Sequence, residues 1–192
     1  MCGIVGYIGE KPVYDILING LKKLEYRGYD SSGVMIYNNE LLVKKSKGKV
    51  SALENLFSNE KDKKGTIGIG HTRWATHGPP NQVNSHPHIS NSGEISLVHN
   101  GIIENYDSIK KILLKKGYTF SSDTDSEVLV NLIEDIKKSK KVKLGKAVYY
   151  ALKQVVGAYA IVAFDSTNPK ELVGARLGSP LAIGVGESEY YF

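Results

Sequence analysis

The chain has one cysteine, Cys2, directly after the initiator methionine. Removal of Met1 is expected because the next side chain is small, and residue 2 would then carry both a thiol and a free α-amine. The reference pKa of such an amine is about 7.7–8.0, and that of the thiol about 8.5. Near neutral pH the amine can take the proton of its own thiol, so one residue supplies nucleophile and base. The plainer alternative is a small buried hydrophobe, the usual role of a lone cysteine.

A second concentration of chemistry is His71-Thr72-Arg73-Trp74-Ala75-Thr76-His77-Gly78. A guanidinium here suits bidentate capture of a carboxylate, and Trp74 would roof a pocket. The alternative is a strand-end salt bridge beside a core tryptophan. His99-Asn100-Gly101 offers a side-chain amide donor and an unhindered backbone N–H, the parts of an oxyanion hole, or simply a turn. Asp123-Thr124-Asp125 supplies a helix cap or a carboxylate for a substrate ammonium. All five histidines lie between His71 and His99. They show no His-Glu-x-x-His spacing and have no cysteine partner, so no metal is assigned. The glycines of residues 65–70 have the wrong order for a dinucleotide loop, and no cofactor is expected.

The elements that must hold these residues can be read from periodicity. Residues 3–8 form a short apolar run that reads as a buried strand. Residues 12–26 read as a helix, with Pro12 in its first turn and Gly28 at its end. Residues 33–37 and 41–45 read as a hairpin turning at Asn38-Asn39, and residues 50–57 as a weak helix. Strands are expected over 66–72 and 95–99. The stretch between them, 73–92, is rich in Pro, Gly, Asn and His and reads as a long functional loop. Helices follow at 105–116, 124–138 and 144–156. Thr124 and Glu127 of the second have capping-box spacing. Strands at 158–164, 171–175 and 181–185 close the pattern. Hairpins mixed with helices, without strict alternation, imply an α+β domain of antiparallel sheet packed on helices.

Composition narrows the function class. The chain has 192 residues, 41% hydrophobic and 23% charged, which suits one folded domain. The formal net charge is +5, yet the only arginines are Arg27, Arg73 and Arg176. The remaining basic residues are lysines in short groups, read as solvated faces rather than a nucleic-acid surface. No apolar run approaches ~18 residues, and the first residues do not resemble a signal peptide. One cysteine permits no internal disulfide. Neither a membrane nor a nucleic acid is an expected partner, and cytoplasm is the default location. The apolar end, Glu189-Tyr190-Tyr191-Phe192, reads as a cut inside a strand.

Taken together, Cys2-Gly3-Ile4-Val5-Gly6, Leu24-Glu25-Tyr26-Arg27-Gly28-Tyr29-Asp30-Ser31, His71 to Gly78, Asn84-Ser85-His86-Pro87-His88, Val98 to Asn105 and Thr124-Asp125-Ser126-Glu127 resemble the class II glutamine amidotransferases. Within them, Arg-Gly-Tyr-Asp-Ser and His-Thr-Arg-Trp-Ala-Thr-His-Gly resemble the N-terminal glutaminase half of the glutamine–fructose-6-phosphate aminotransferases. The resemblance runs in order from Cys2 to the last residue. It implies a four-layer α-β-β-α N-terminal-nucleophile hydrolase fold with two mostly antiparallel sheets. It implies Cys2 as nucleophile on the glutamine side-chain amide, and Asn100 with Gly101 as the oxyanion hole. Arg73, helped by Thr76 and His77, would bind the substrate α-carboxylate, and Asp125 the α-ammonium. Trp74 would shield the ammonia path, and Arg27 would support the nucleophile. The domain would be residues 2–192, truncated at its end. A sugar-phosphate isomerase domain would be its partner in the full-length chain, itself a homo-oligomer. The rival expectations are a domain that senses glutamine without turnover and an N-terminal-nucleophile amidase for another amide.

Overall fold

The computed structural model describes residues 2–74, 79 and 81–192. Ten strands and five α-helices are described in it. The first sheet has the order β3 (Leu41–Lys47), β2 (Ser31–Tyr37), β4 (Ile67–Arg73), β1 (Gly3–Ile8), β10 (Glu189–Tyr191), β9 (Gly184–Gly186), and the second β5 (His88–Ile89), β6 (Ile95–Ile103), β7 (Gly157–Asp165), β8 (Leu172–Leu177). All their strand pairs are antiparallel. In the first sheet, β1 (Gly3–Ile8) and β2 (Ser31–Tyr37) flank β4 (Ile67–Arg73). In the second, β6 (Ile95–Ile103) and β7 (Gly157–Asp165) form the longest pair.

Three apolar cores divide the molecule into four layers. Helix α1 (Val13–Leu24) and α2 (Val50–Glu54) cover the outer face of the first sheet through Leu17, Leu21 and Leu53, joined by Phe57 just after α2. Helices α3 (Tyr106–Lys115), α4 (Asp125–Lys140) and α5 (Leu144–Leu152) cover the outer face of the second. Met35, Ile67, Ile69, Val98, Val162 and Phe164 fill the space between the sheets. The expected α-β-β-α arrangement is the one observed. Burying a large apolar side chain such as Phe164 contributes roughly 1.5–3 kcal/mol, so the inter-sheet layer holds the two halves firmly in register.

Strand alternation decides what reaches the inter-sheet space. Along β4, Ile67 and Ile69 face inward, so period-2 geometry turns His71 and Arg73 inward as well. Gly68 and Gly70 face α1, where an added Cβ would lie 2.8 Å from Leu17 and 3.0 Å from Leu21. Two of the three glycines of residues 65–70, Gly68 and Gly70, thus serve helix–sheet contact. Along β6, Ile95 and Leu97 face the helices and Val98 faces the other sheet. Asn100 shares the side of Val98, and His99 turns towards α4.

Several boundaries differ from the sequence expectation. Residues 12–26 divide into α1 and a short 3₁₀ turn, Glu25–Arg27. The strand expected over 95–99 runs on to Ile103, so Asn100-Gly101 is not a turn. Gly101 has φ +137°, and its added Cβ would stand 2.0 Å from the Ala158 carbonyl oxygen. The glycine signalled a close strand crossing rather than a chain reversal. The last expected strand begins late, at Gly184, as β9 (Gly184–Gly186). Only half of the capping box forms. The Thr124 hydroxyl accepts from the Glu127 N–H at 3.3 Å, but the Glu127 carboxylate accepts from the N–H groups of Ser121 and Ser122 instead. Among the described residues no helix is long and apolar enough to cross a membrane.

Candidate active site

Cys2 enters the structure where β1 begins. Gly3 pairs with Thr72 across the strands, and its N–H donates to the Thr72 hydroxyl at 3.2 Å. The chain after β4 then passes the sulfur. The Trp74 N–H donates to Cys2 Sγ at 3.3 Å, and the thiol donates to the Trp74 carbonyl at 3.6 Å. Among the described residues, these are the hydrogen bonds of the sulfur. Gly28 permits the approach, since a Cβ there would lie 2.9 Å from the Trp74 nitrogen. On its other side, the Cys2 carbonyl accepts from Asn100 Nδ2 at 3.2 Å. The start of one sheet is thereby bound to a strand of the other.

A cavity of about 680 Å³ opens beside the sulfur. Cys2, Arg73, Asn100 and Asp125 border it, joined by Gly101, Arg27 and Trp74. Burial pushes the Cys2 thiol up from its ordinary range, and the Trp74 N–H and the Arg73 charge work against that rise. A thiol held mainly in its protonated form needs a base to become a nucleophile. Arg73 is buried. Burial lowers its pKa, opposed by Cys2, Asp30 and Asp125, but a guanidinium stays protonated in any working range. Asp125 is buried at the start of α4. One of its oxygens accepts from the Ile103 N–H at 2.7 Å.

Four histidines form a polar layer beneath this cavity. The rings of His71 and His86 stack with centroids 4.1 Å apart, and His88 stands edge-on to His86 at 4.6 Å. Ser126 at the head of α4 joins His86 Nε2 and His99 Nδ1, at 3.0 and 2.9 Å. His88 Nε2 meets the Thr124 hydroxyl at 3.0 Å. Burial lowers the pKa of His71 to about 3, and moves His86 and His88 well below the usual imidazole range. Burial thus favours the neutral form of His71, His86 and His88. No cluster of three or more His, Cys, Asp or Glu among the described residues is arranged to hold a metal ion.

The family model of the glutamine amidotransferase domain matches residues 56–192. The chain belongs to this family. The amidotransferase domain is 58% identical to the isomerizing glutamine–fructose-6-phosphate aminotransferase of Bacteroides thetaiotaomicron, over all of this chain and 31% of that protein. It is 46% identical to the Pyrococcus horikoshii protein of the same name, again over the whole chain and 32% of the relative. The chain thus spans about a third of the length of these relatives. Among solved structures, the glutamine phosphoribosylpyrophosphate amidotransferase of B. subtilis superposes with a TM-score of 0.82 at 29% identity. That match covers all of this chain and 41% of the other.

Seven of the residues singled out in the amidotransferase sequence border the one cavity. Thr76 and His77 lie outside the described residues. Trp74 is not a core residue: it is 47% exposed at the rim, edge-on to Tyr29 at 5.8 Å. The cavity also takes in Arg176, which the sequence reading left without a role. Its signal was present, because all three arginines of a lysine-rich chain converge on this cavity. His71 and Ser126 stand in the matched motifs, but nothing local in the sequence gives either one a partner. A strand-borne histidine carries no local sign of the group it will face across a second sheet.

Proposed function

We propose that this domain hydrolyses the side-chain amide of glutamine, with Cys2 as the nucleophile once Met1 has been removed. One observation carries the reading. The sulfur borders a cavity shared with Arg73, Asn100 and Asp125, while its described hydrogen bonds go only to the Trp74 backbone. Among the described residues no side chain is hydrogen-bonded to the sulfur as a base, and the α-amine of Cys2 itself fills that role. The amine takes the thiol proton, and sulfur attacks the carboxamide carbon. The oxyanion that forms is met by Asn100 Nδ2 and the Gly101 backbone. The ammonium returns its proton to the leaving nitrogen, ammonia departs, and a γ-glutamyl thioester remains. Water then releases glutamate and the thiol.

Recognition of the amino-acid end falls to Arg73 for the α-carboxylate and Asp125 for the α-ammonium, a charge pattern that selects a zwitterion. By resemblance Thr76 and His77 assist Arg73, Trp74 shields the departing ammonia, and Arg27 supports the nucleophile. In the whole protein, the ammonia would pass to fructose 6-phosphate, giving glucosamine 6-phosphate, through a sugar-phosphate isomerase domain. That reading draws on the names of the relatives and on the matched motifs. A cytoplasmic homo-oligomer, without a nucleic-acid or membrane partner, belongs to the same proposal.

The test pairs intact mass with glutamate release. A chain lacking Met1 should release glutamate from glutamine far faster than from asparagine or a simple acyl amide. Cys2→Ala should bind glutamine without turnover. Residual hydrolysis near the parent rate would remove Cys2 from the mechanism.

A further inference from the structure

His71 occupies the middle of the inter-sheet space, 1% exposed, on the strand opposite Asn100. Its Nε2 lies 3.1 Å from the His99 carbonyl oxygen and 2.8 Å from Asn100 Oδ1. A carbonyl oxygen only accepts, so Nε2 must carry the proton. Nδ1 is buried without a hydrogen-bond partner among the described residues. An unprotonated Nδ1 leaves one acceptor unfilled, whereas a protonated one would leave a buried donor unmet. Both nitrogens therefore specify the same tautomer.

That tautomer settles which way the Asn100 amide points. Its oxygen end receives the His71 proton, and its nitrogen end faces the Cys2 carbonyl, again a pure acceptor. A flipped amide would set donor against donor at His71 and oxygen against oxygen at Cys2. Of the two hydrogens on Nδ2, one is taken by Cys2 and the other is left for the cavity. We propose that His71 is a positioning residue: it holds the Asn100 amide with its N–H turned towards the developing oxyanion. This inference rests on the oxyanion role given to Asn100 above. The ring is kept in place by the His86 ring stacked on it. Gly33 opposes His71 on β2 and makes room for this loop, since a Cβ there would lie 2.1 Å from the His86 carbonyl oxygen. Burial keeps His71 neutral across the range in which an enzyme works, so its donor and acceptor ends do not exchange with pH.

Two substitutions separate positioning from packing. In His71→Gln the amide N–H can stand near the place of Nε2, whereas in His71→Asn it falls short of Asn100. His71→Asn should lower kcat for glutamate release by roughly 10- to 100-fold, less than or equal to the loss of a whole oxyanion donor, with KM changed by less than about threefold. His71→Gln should recover most of the rate. Asn100→Ala combined with His71→Asn should lose little beyond Asn100→Ala alone, because both act through one amide. Equal rates for the Gln and Asn variants, or fully multiplicative losses, would overturn the proposal. The parent protein supplies a test that needs neither turnover nor a variant. Long-range ¹H–¹⁵N correlation of the His71 ring should report a protonated Nε2 and a bare Nδ1, and the opposite tautomer would overturn the proposal. Turnover by Cys2→Ala, in contrast, would count against the hydrolysis reading and leave the ring assignment standing.

Discussion

Acid should unfold this domain through its histidines before its carboxylates matter. His71, His86 and His88 are buried, and beyond that burial each is pressed towards neutrality by His99 and Arg73, with His71 acting on the other two and Lys45 on His88. Their folded pKa values are depressed, to about 3 for His71. Unfolded imidazoles titrate near 6.5, so below that pH the unfolded chain binds protons that the native state refuses. Stability is therefore present above about pH 6.5 and lost as the pH falls. One imidazole that stays neutral when folded forfeits about 2 kcal/mol between pH 7 and 5, and three forfeit about 5–6 kcal/mol. That is comparable to the whole stability of many domains, about 5–15 kcal/mol. Glu134 and Glu189 have lowered pKa values, so their contributions are lost only at lower pH. Urea titrations at about pH 7, 6 and 5 would read the effect as a shift in midpoint at constant slope. His88→Gln should remove about a third of the pH dependence. A free energy that changes by less than about 1 kcal/mol across this range would refute the claim that the layer is buried and neutral.

Two further outcomes follow from the geometry around the site. Gly101→Ala should be severe, because its φ of +137° and a Cβ only 2.0 Å from the Ala158 carbonyl oxygen force β6 away from β7; a cost of several kcal/mol is expected in thermal or urea unfolding, and a variant within about 1 kcal/mol of the parent would contradict the packing. Lys45 Nζ donates to the carbonyls of Val83, Ser85 and Pro87, at 3.3, 2.7 and 3.3 Å. Lys45→Met keeps the aliphatic stem but strips this clamp, and should cost about 1–3 kcal/mol while speeding amide exchange over residues 83–88; unchanged exchange there would show that the clamp does not order the loop.

Much of the site was legible because its parts are chemically unusual for their surroundings. A lone cysteine beside the chain start, three arginines among many lysines and an Asn-Gly pair on an apolar strand each stand out in the linear sequence. Lys45 shows the limit. It sits in a lysine pair that reads as solvated, yet its ammonium is half-buried against three carbonyls and its pKa falls to about 8 through burial. Glu127 has the spacing of a capping residue, but the nearby Ser121 and Ser122 N–H groups take its carboxylate. In both cases the competing partner is supplied by chain that folds back.

Residue order alone determined the strand and helix periods and the chemical types at the site, because side-chain alternation and apolar spacing are local properties. Whether Asn100 ends a strand or continues it, which tautomer His71 adopts, and that Arg176 reaches the cavity of Cys2 were decided only when two sheets came face to face. Those outcomes depend on hydrogen-bond partners and close contacts between residues far apart in the chain, such as the 2.8 Å link from His71 to Asn100. No sequence window contains both ends of such a contact.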